Sequence, residues 1–460
     1  MKNDKTAAVP GFGNCDPLTI ISFDMTKASV PRARRARVAS VGAAQPAAPT
    51  STVTSTEVAE KFHRPTATPS RSRRAQHAHA EPGSQSVPGP DPAPETVRLL
   101  HSSLLTWYAR ERRSLPWRAT RDPYAIWLSE VMLQQTRVDT VIPYYERFLA
   151  RWPTVSALAE APIDEVLASW SGLGYYRRAR MLHAAAQAIA AESEVPFPPD
   201  AESLARVKGI GRYTAGAVAS IAYGEAVPLV DGNVARVFAR LFAIDQDVRS
   251  TKGVARLWAL AESLVAAEDP GAWNQALMEL GATVCVPRDP RCLLCPVQTL
   301  CRARAEGTER ELPHVKAKPK ARVQRRWALV ATKGAAVLLG QRRADARFGG
   351  LWEPPTLDAL PGEESDEEAA ARLASMVGAT LQNVMRAPDV THVLSHRRLE
   401  ISVVRAELAR APAASAVVDG PEYTRFVLVD AGQLHDRGVS TLARKLLAAG
   451  LPDRKNNGIE

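Results

Sequence analysis

At 460 residues the chain is longer than one ordinary hydrophobic core organises, so two folded domains plus additional sequence are expected. Hydrophobic residues make up 45% and charged residues 23%, which suits a soluble fold, and no apolar run of about 18 residues occurs that could cross a bilayer. The formal net charge of +10 points toward an acidic partner, of which nucleic acid is the commonest.

Residues 1–94 are rich in Ala, Pro, Ser, Thr and Arg and carry no sustained apolar period, so they read as a disordered basic extension. Its arginines (Arg32, Arg34, Arg35, Arg37; Arg71, Arg73, Arg74) suit phosphate contacts as well as a solvated tail. The start MKNDK lacks the apolar stretch of a secretory signal, so a cytoplasmic location is expected.

From 95 to 304 the pattern is helical. Asp122 is placed to cap a helix with Pro123 in its first position, leading into YAIWLSEVMLQQ, and Thr136 to cap VDTVIPYYERFLARW. Further helices are expected in IDEVLASW, RRARMLHAAAQAIAAES, YTAGAVASIAY, NVARVFARLFAI, VARLWALAESLVAA and WNQALMEL, an all-α domain. Residues 305–324 are charged and punctuated by Pro, the composition of an interdomain linker, which begins to show already at Arg302.

Over 325–450 the period shortens. WALVAT, AAVLLGQRR, LEISVVRAEL and TRFVLVD read as strands, and SDEEAAARLASMV and STLARKLLAAG as helices, so a small α+β domain is expected before a tail at 451–460.

Four of the five cysteines lie close together, as C-x6-C-x2-C-x5-C over Cys285, Cys292, Cys295 and Cys301. Four thiolates in one loop hold a soft metal or an iron–sulfur centre, and zinc more often uses two C-x2-C knuckles than the wide spacings here. The same loop holds Arg288, Arg291 and Arg302, suited to phosphate contacts. Upstream, VKGIGRYTAGAV places Gly209 and Gly211 before a helix, where free backbone N–H groups can meet a phosphate oxygen. About 20 residues on, LVDGNVAR puts Asp231 between the strand-like AVPLV and a helix start, with Asn233 placed to orient it. Alone, this carboxylate reads equally well as an N-cap. Glu130 stands before an apolar VML on an otherwise apolar helix, a costly position unless it is exposed or functional.

Together these features resemble the helix–hairpin–helix superfamily of endonuclease III. The string LPWR…DPYAIWLSEVMLQQTRV resembles that superfamily's adenine-specific branch, the MutY family of adenine DNA glycosylases. The resemblance spans about residues 97–448, and the functions below are what it implies. The cysteines would hold a [4Fe–4S] cluster of structural role. Glu130 would protonate adenine at N7, and Asp231 would stabilise the sugar cation. Trp117, Arg118, Tyr213 and Glu279 would line the adenine pocket or assist proton transfer. Gln134, Gln135 and Thr136 would fill the space left by the flipped base, and Tyr175 would wedge beside the opposite guanine. Taken alone, core packing accounts for each of these aromatics.

Lyases of the superfamily carry a catalytic Lys where this chain has Tyr213, and Lys208 lies on the other side of the hairpin turn. Strand cleavage should therefore be weak or absent. FGGLWEPP and THVLSHRRLEISVV resemble the family's NUDIX-like domain. Ser395 and His396 match its lesion-contacting segment, while Leu394 replaces the family's Phe. PGEESDEEAAARLASMVG lacks the R-E-x-x-E-E core of a nucleotide hydrolase.

The expectation is thus a multidomain protein: an all-α helix–hairpin–helix glycosylase domain with a cluster loop, plus an α+β NUDIX-like domain. It would act as a monomer on duplex DNA holding adenine opposite 8-oxoguanine or guanine, with no membrane partner. Alternatives are a bifunctional lyase for oxidised pyrimidines, a non-catalytic DNA-binding or redox-sensing cluster protein, and a NUDIX hydrolase.

Overall fold

A computed structural model describes residues 92–192, 197–316, 321–362, 364–412 and 422–451. Nearly all of the N-terminal extension, including its arginine clusters and Cys15, lies outside the described residues, as does the tail beyond 451.

Twelve helices form the first domain among the described residues: α1 (Pro94–Glu111), α2 (Pro123–Leu133), α3 (Val138–Arg151), α4 (Val155–Glu160), α5 (Ile163–Ser169), α6 (Arg177–Glu192), α7 (Ala201–Arg206), α8 (Arg212–Tyr223), α9 (Gly232–Leu241), α10 (Thr251–Ser263), α11 (Pro270–Thr283) and α12 (Arg302–Glu306). Polar caps set where several of them begin. Asp122 accepts from the Tyr124 and Ala125 N–H groups, and Asp200, Ser250 and Asp269 cap α7, α10 and α11 in the same manner. Every residue of α2 from Tyr124 to Met132 is buried, so this helix is wrapped on all sides and forms the centre of the core. Around it Phe148 sits edge-on to Trp152 and Trp170, at 4.9 and 5.6 Å between ring centres.

Three local expectations are corrected. Thr136 does not cap α3: Arg137 occupies that position without a side-chain cap, because the Thr136 hydroxyl accepts from Arg178 at 2.8 Å. AVPLV has no strand partner. It runs as an extended segment whose Val227 carbonyl is taken by the Asn274 side chain at 2.9 Å. Residues 302–306, expected to open the linker, form α12, which has Cys301 as its N-cap and buries Ala303.

The second domain is a mixed sheet with a helix on each face. Its elements are β1 (Arg322–Lys333), β2 (Ala336–Arg342), β3 (Trp352–Glu353), β4 (Thr356–Asp358), α13 (Asp366–Val377), β5 (Thr380–Leu394), β6 (Arg397–Arg410), β7 (Tyr423–Asp430) and α14 (Thr441–Gly450). The strand order is β3-β2-β1-β6-β5, with β4 on β1 and β7 on β2, and β1–β6 is the parallel pair. Alternation along β1 divides the core: Ala328 and Val330 join the α14 side, while Trp327, Leu329 and Ala331 join the α13 side. Helix α13 begins with a reciprocal capping box between Ser365 and Glu368. β3, β4 and β5 escaped the sequence reading. The first two are very short, and β5 is mostly exposed, so neither type shows a clean alternation. Leu351, between β2 and β3, packs into the helical core and joins the two domains.

Candidate active site

Glu130 sits in the middle of α2 and is only 5% exposed. Its Oε2 accepts a hydrogen bond from the Tyr213 hydroxyl, which also lies 3.5 Å from Met278 Sδ. Tyr213 reaches it because α8 starts directly after the Gly209–Gly211 hairpin and packs on α2. Burial pushes the Glu130 carboxyl up to about 7. The nearby Asp231 charge adds to the rise, and the Tyr213 hydrogen bond and Arg118 oppose it. Burial also drives the Tyr213 phenol far above its ordinary value, so it stays a proton-bearing donor.

Asp231 is the N-cap of α9, so the capping role holds, and its charge also acts on Glu130. Its Oδ1 accepts from the Val234 N–H at 2.7 Å and its Oδ2 from Asn233 Nδ2 at 2.9 Å. Arg236 donates to Asn233 Oδ1 at 3.0 Å, which fixes which way the Asn233 amide points. Burial raises the Asp231 carboxyl, while these donors and the Arg236 charge pull it back toward the ionised form. Burial raises both carboxyls, and Asp231 differs in the backbone and amide N–H donors that favour its ionised form.

Glu279 has a different setting from the pocket role expected for it. Arg113 donates to both of its oxygens at 2.8 Å, and Arg118 donates to Oε2 at 2.8 Å. Burial alone would raise this carboxyl, but the two guanidinium groups outweigh it and hold it at about 2. A permanently ionised group on two arginines positions Arg118 and the turn before α2. Trp117, next in line, packs edge-on to Tyr145 at 5.4 Å. Arg113 was missed, since nothing in its sequence surroundings marks a partner 166 residues away.

The expected DNA-facing residues lie on turns. Gln135 and Tyr175 both have positive φ, 58° and 51°, and Tyr175 is half exposed. Gly209 needs its φ of 106°, and Gly211 is the N-cap of α8 without a side-chain cap, leaving the first N–H groups available to an anion. Arg178 ties two of these turns together, a role its place in YYRRAR did not signal: it donates to the Val131 and Met132 carbonyls and to Thr136. Ser395 and His396 come between two strands. They form the exposed two-residue turn between β5 and β6, with Leu394 half-buried before them. No hydrogen bond among the described residues joins them to the Glu130 group.

The four cysteines are half-buried and unbridged, arranged from the end of α11 to the start of α12. Arg240 donates to Cys285 Sγ at 3.3 Å, and its other N–H groups are taken by the Leu312, Val286 and Pro287 carbonyls. Burial raises the Cys295 thiol to about 12, and the other three cysteines add to that rise, so the four are close enough to repel as thiolates. No group of three or more His, Cys, Asp or Glu among the described residues is placed to hold a single metal ion. An all-sulfur donor set around a buried arginine fits a multinuclear iron–sulfur centre, whose net negative charge a cation offsets. Arg288 and Arg291 are exposed on the same loop, and Arg302 is exposed at the first position of α12.

A wrapped carboxylic acid beside a hairpin-borne tyrosine, in a helical domain joined to a two-helix mixed sheet, defines the class. Residues 128–262 match the HhH-GPD superfamily of base excision DNA repair proteins, and 326–449 match the NUDIX domain. The chain is 36% identical to the human adenine DNA glycosylase over 408 residues, 76% of this chain and 73% of that protein. It is 38% identical to the Mus musculus adenine DNA glycosylase (70% of this chain, 73% of that protein) and 40% identical to the Arabidopsis thaliana one (59% and 49%). The chain belongs to the adenine DNA glycosylase family and is a DNA N-glycosylase of base excision repair.

Proposed function

We propose that this enzyme is monofunctional and hydrolyses the N-glycosidic bond of adenine mispaired with 8-oxoguanine or guanine in duplex DNA. The observation that carries the reading is the buried Glu130 carboxyl, poised near pH 7 and held by a tyrosine where strand cleavage would require an amine. Adenine leaves the stack, at a cost of roughly a few kcal/mol that a mispair lowers. Glu130 gives its proton to adenine N7, and the C1′–N9 bond breaks with its electron pair passing to the base. The ionised Asp231, aimed by Asn233, stabilises the cationic sugar. Water adds at C1′, and its proton restores Glu130. Tyr213 keeps Glu130 in one rotamer and cannot form a Schiff base.

The exposed Ser395–His396 turn would contact the opposite base, and Leu394 beside it offers packing without aromatic stacking. Cys285, Cys292, Cys295 and Cys301 would hold a [4Fe–4S] cluster, which when bound ties the loop between α11 and α12 into one unit. Purified protein is expected to contain about four irons and four sulfides per chain, and Cys295→Ser to lose them together with duplex binding. Iron-free protein that binds duplex DNA normally would sink that assignment.

The central experiment measures adenine release from duplexes with A opposite 8-oxoguanine, G, C and T, together with borohydride trapping on abasic DNA. Release opposite the first two only, without a strong covalent adduct, is expected. Equal release opposite all four, or efficient trapping, would overturn the reading.

A further inference from the structure

The loop Ser171–Tyr176 joins α5 to α6 and presents Tyr175. Three of its residues have left-handed backbone: Gly172 (φ 107°), Gly174 (φ 74°) and Tyr175 (φ 51°). For a large side chain that conformation is costly, and Tyr175 is half exposed, so its own burial offsets little of the cost. Within the helical domain Trp170 Nε1 donates to the Gly174 carbonyl at 3.0 Å and the Tyr144 hydroxyl to the Ser171 carbonyl at 2.7 Å, and both ends of the loop are also gripped by the other domain. Ser171 Oγ donates to the Val439 carbonyl at 2.8 Å, and the Tyr176 hydroxyl donates to the same oxygen at 3.0 Å. The Gly172 N–H donates to the Tyr176 hydroxyl at 3.3 Å, and Arg444 donates to Ser171 Oγ at 3.3 Å.

Val439 is a fixed point. It is 2% exposed, bridges to Trp352, and precedes Ser440, the cap of α14. The Trp352 N–H holds the Gly438 carbonyl at 2.9 Å, and Gly438 lies so close to the helical domain that an added Cβ would meet Leu167 Cβ at 2.9 Å. A merely adhesive interface gains most from apolar contact. Two hydroxyls converging on one carbonyl instead specify geometry.

The linkage continues inward. Arg178, two residues beyond Tyr176 and 9% exposed, donates to the Gly174 carbonyl at 3.3 Å and to Thr136 Oγ1 at 2.8 Å. Its other N–H groups reach the Val131 and Met132 carbonyls at 2.9 and 2.7 Å, the two residues that follow Glu130 on α2. Its guanidinium also lies 5.5 Å from the Tyr175 ring centre. No carboxylate pairs with it among the described residues, and the hydrogen bonds of its two terminal nitrogens all join loop to helix, while its buried Nε has no partner.

We propose that Ser171 and Tyr176 are positioning residues through which the C-terminal domain sets the Tyr175 loop and, by way of Arg178, the end of the helix carrying Glu130. Contact between the C-terminal domain and an oxidised base thereby acts on the rate of adenine release as well as on affinity. The inference rests on the lesion preference proposed above.

Single-turnover release is measured with adenine opposite 8-oxoguanine and opposite guanine, for wild type, Ser171→Ala/Tyr176→Phe and Ser171→Thr, with melting temperatures alongside. Wild type is expected to favour the 8-oxoguanine duplex. The double variant should lose about tenfold of that preference, its rate falling more opposite 8-oxoguanine than opposite guanine, with release measured well below its melting temperature. Ser171→Thr keeps the hydroxyl and the preference. Should the double variant not fold, Tyr176→Phe alone decides by the same ratio. Equal losses on both duplexes, or an unchanged ratio, overturn the proposal. A wild type without any lesion preference is a separate result, which overturns the underlying reading and the proposal with it.

Discussion

Glu130→Gln is expected to release adenine about 10²–10⁴-fold more slowly, the usual worth of a positioned general acid, while still binding mispaired duplex. In the wild type the same group sets a pH limb. Its carboxyl must be protonated to act, so single-turnover release should fall as pH rises through about 7. The raised value also fixes a sign for stability. The folded protein holds this proton more tightly than the unfolded chain, so its contribution is complete below about 4.5 and is lost as pH rises to about 7. Above that the buried carboxylate costs roughly 3 kcal/mol. Glutamine carries no such cost, so the variant should melt several degrees above wild type at pH 8 and level with it near pH 4.5. Undiminished adenine release would remove Glu130 from the mechanism. A melting difference independent of pH would mean that the residue is not held as a protonated acid.

Glu279→Ala should cost about 3–5 kcal/mol, because it leaves Arg118, whose side chain is only 10% exposed, charged and without its partner. A fall in melting temperature of roughly 10 °C follows for a domain of this size. The Glu279 carboxyl is held low, so its stabilisation is present above about 4.5 and fades as pH drops toward about 2. Calorimetry of the variant, with adenine release measured well below its melting point, separates the two tasks considered for this residue. A proton-transfer role would leave the melting temperature intact and remove the rate. Anchoring by Arg113 and Arg118 predicts lost stability with chemistry largely retained in the cold.

Much of the helical domain was legible because its signals are local. Asp122 with Pro123, and Asp231 before GNVAR, cap helices within three residues of themselves, and short-range hydrogen bonds follow from short-range sequence. Thr136 shows the limit of that rule. A residue of the right type in the right place was claimed by a guanidinium 42 positions away. In the second domain β5 was lost because an exposed edge strand interrupted by bulges has no apolar alternation to read. The Ser395–His396 turn went unrecognised with it, since a turn is visible only when both flanking strands are.

What the sequence determined by itself is the set of chemical groups: two carboxylates, a tyrosine in place of a lysine, and four clustered thiols. Their types and spacings are chain properties. Only the tertiary structure decided what each group can do. Glu130 and Glu279 are both nearly inaccessible glutamates on apolar helices, yet one is pushed up to about 7 and the other held down at about 2. The difference lies in which cations and hydroxyls the fold brings against them. A buried charge answers to neighbours within a few ångströms, and those neighbours come from residues far apart in the chain.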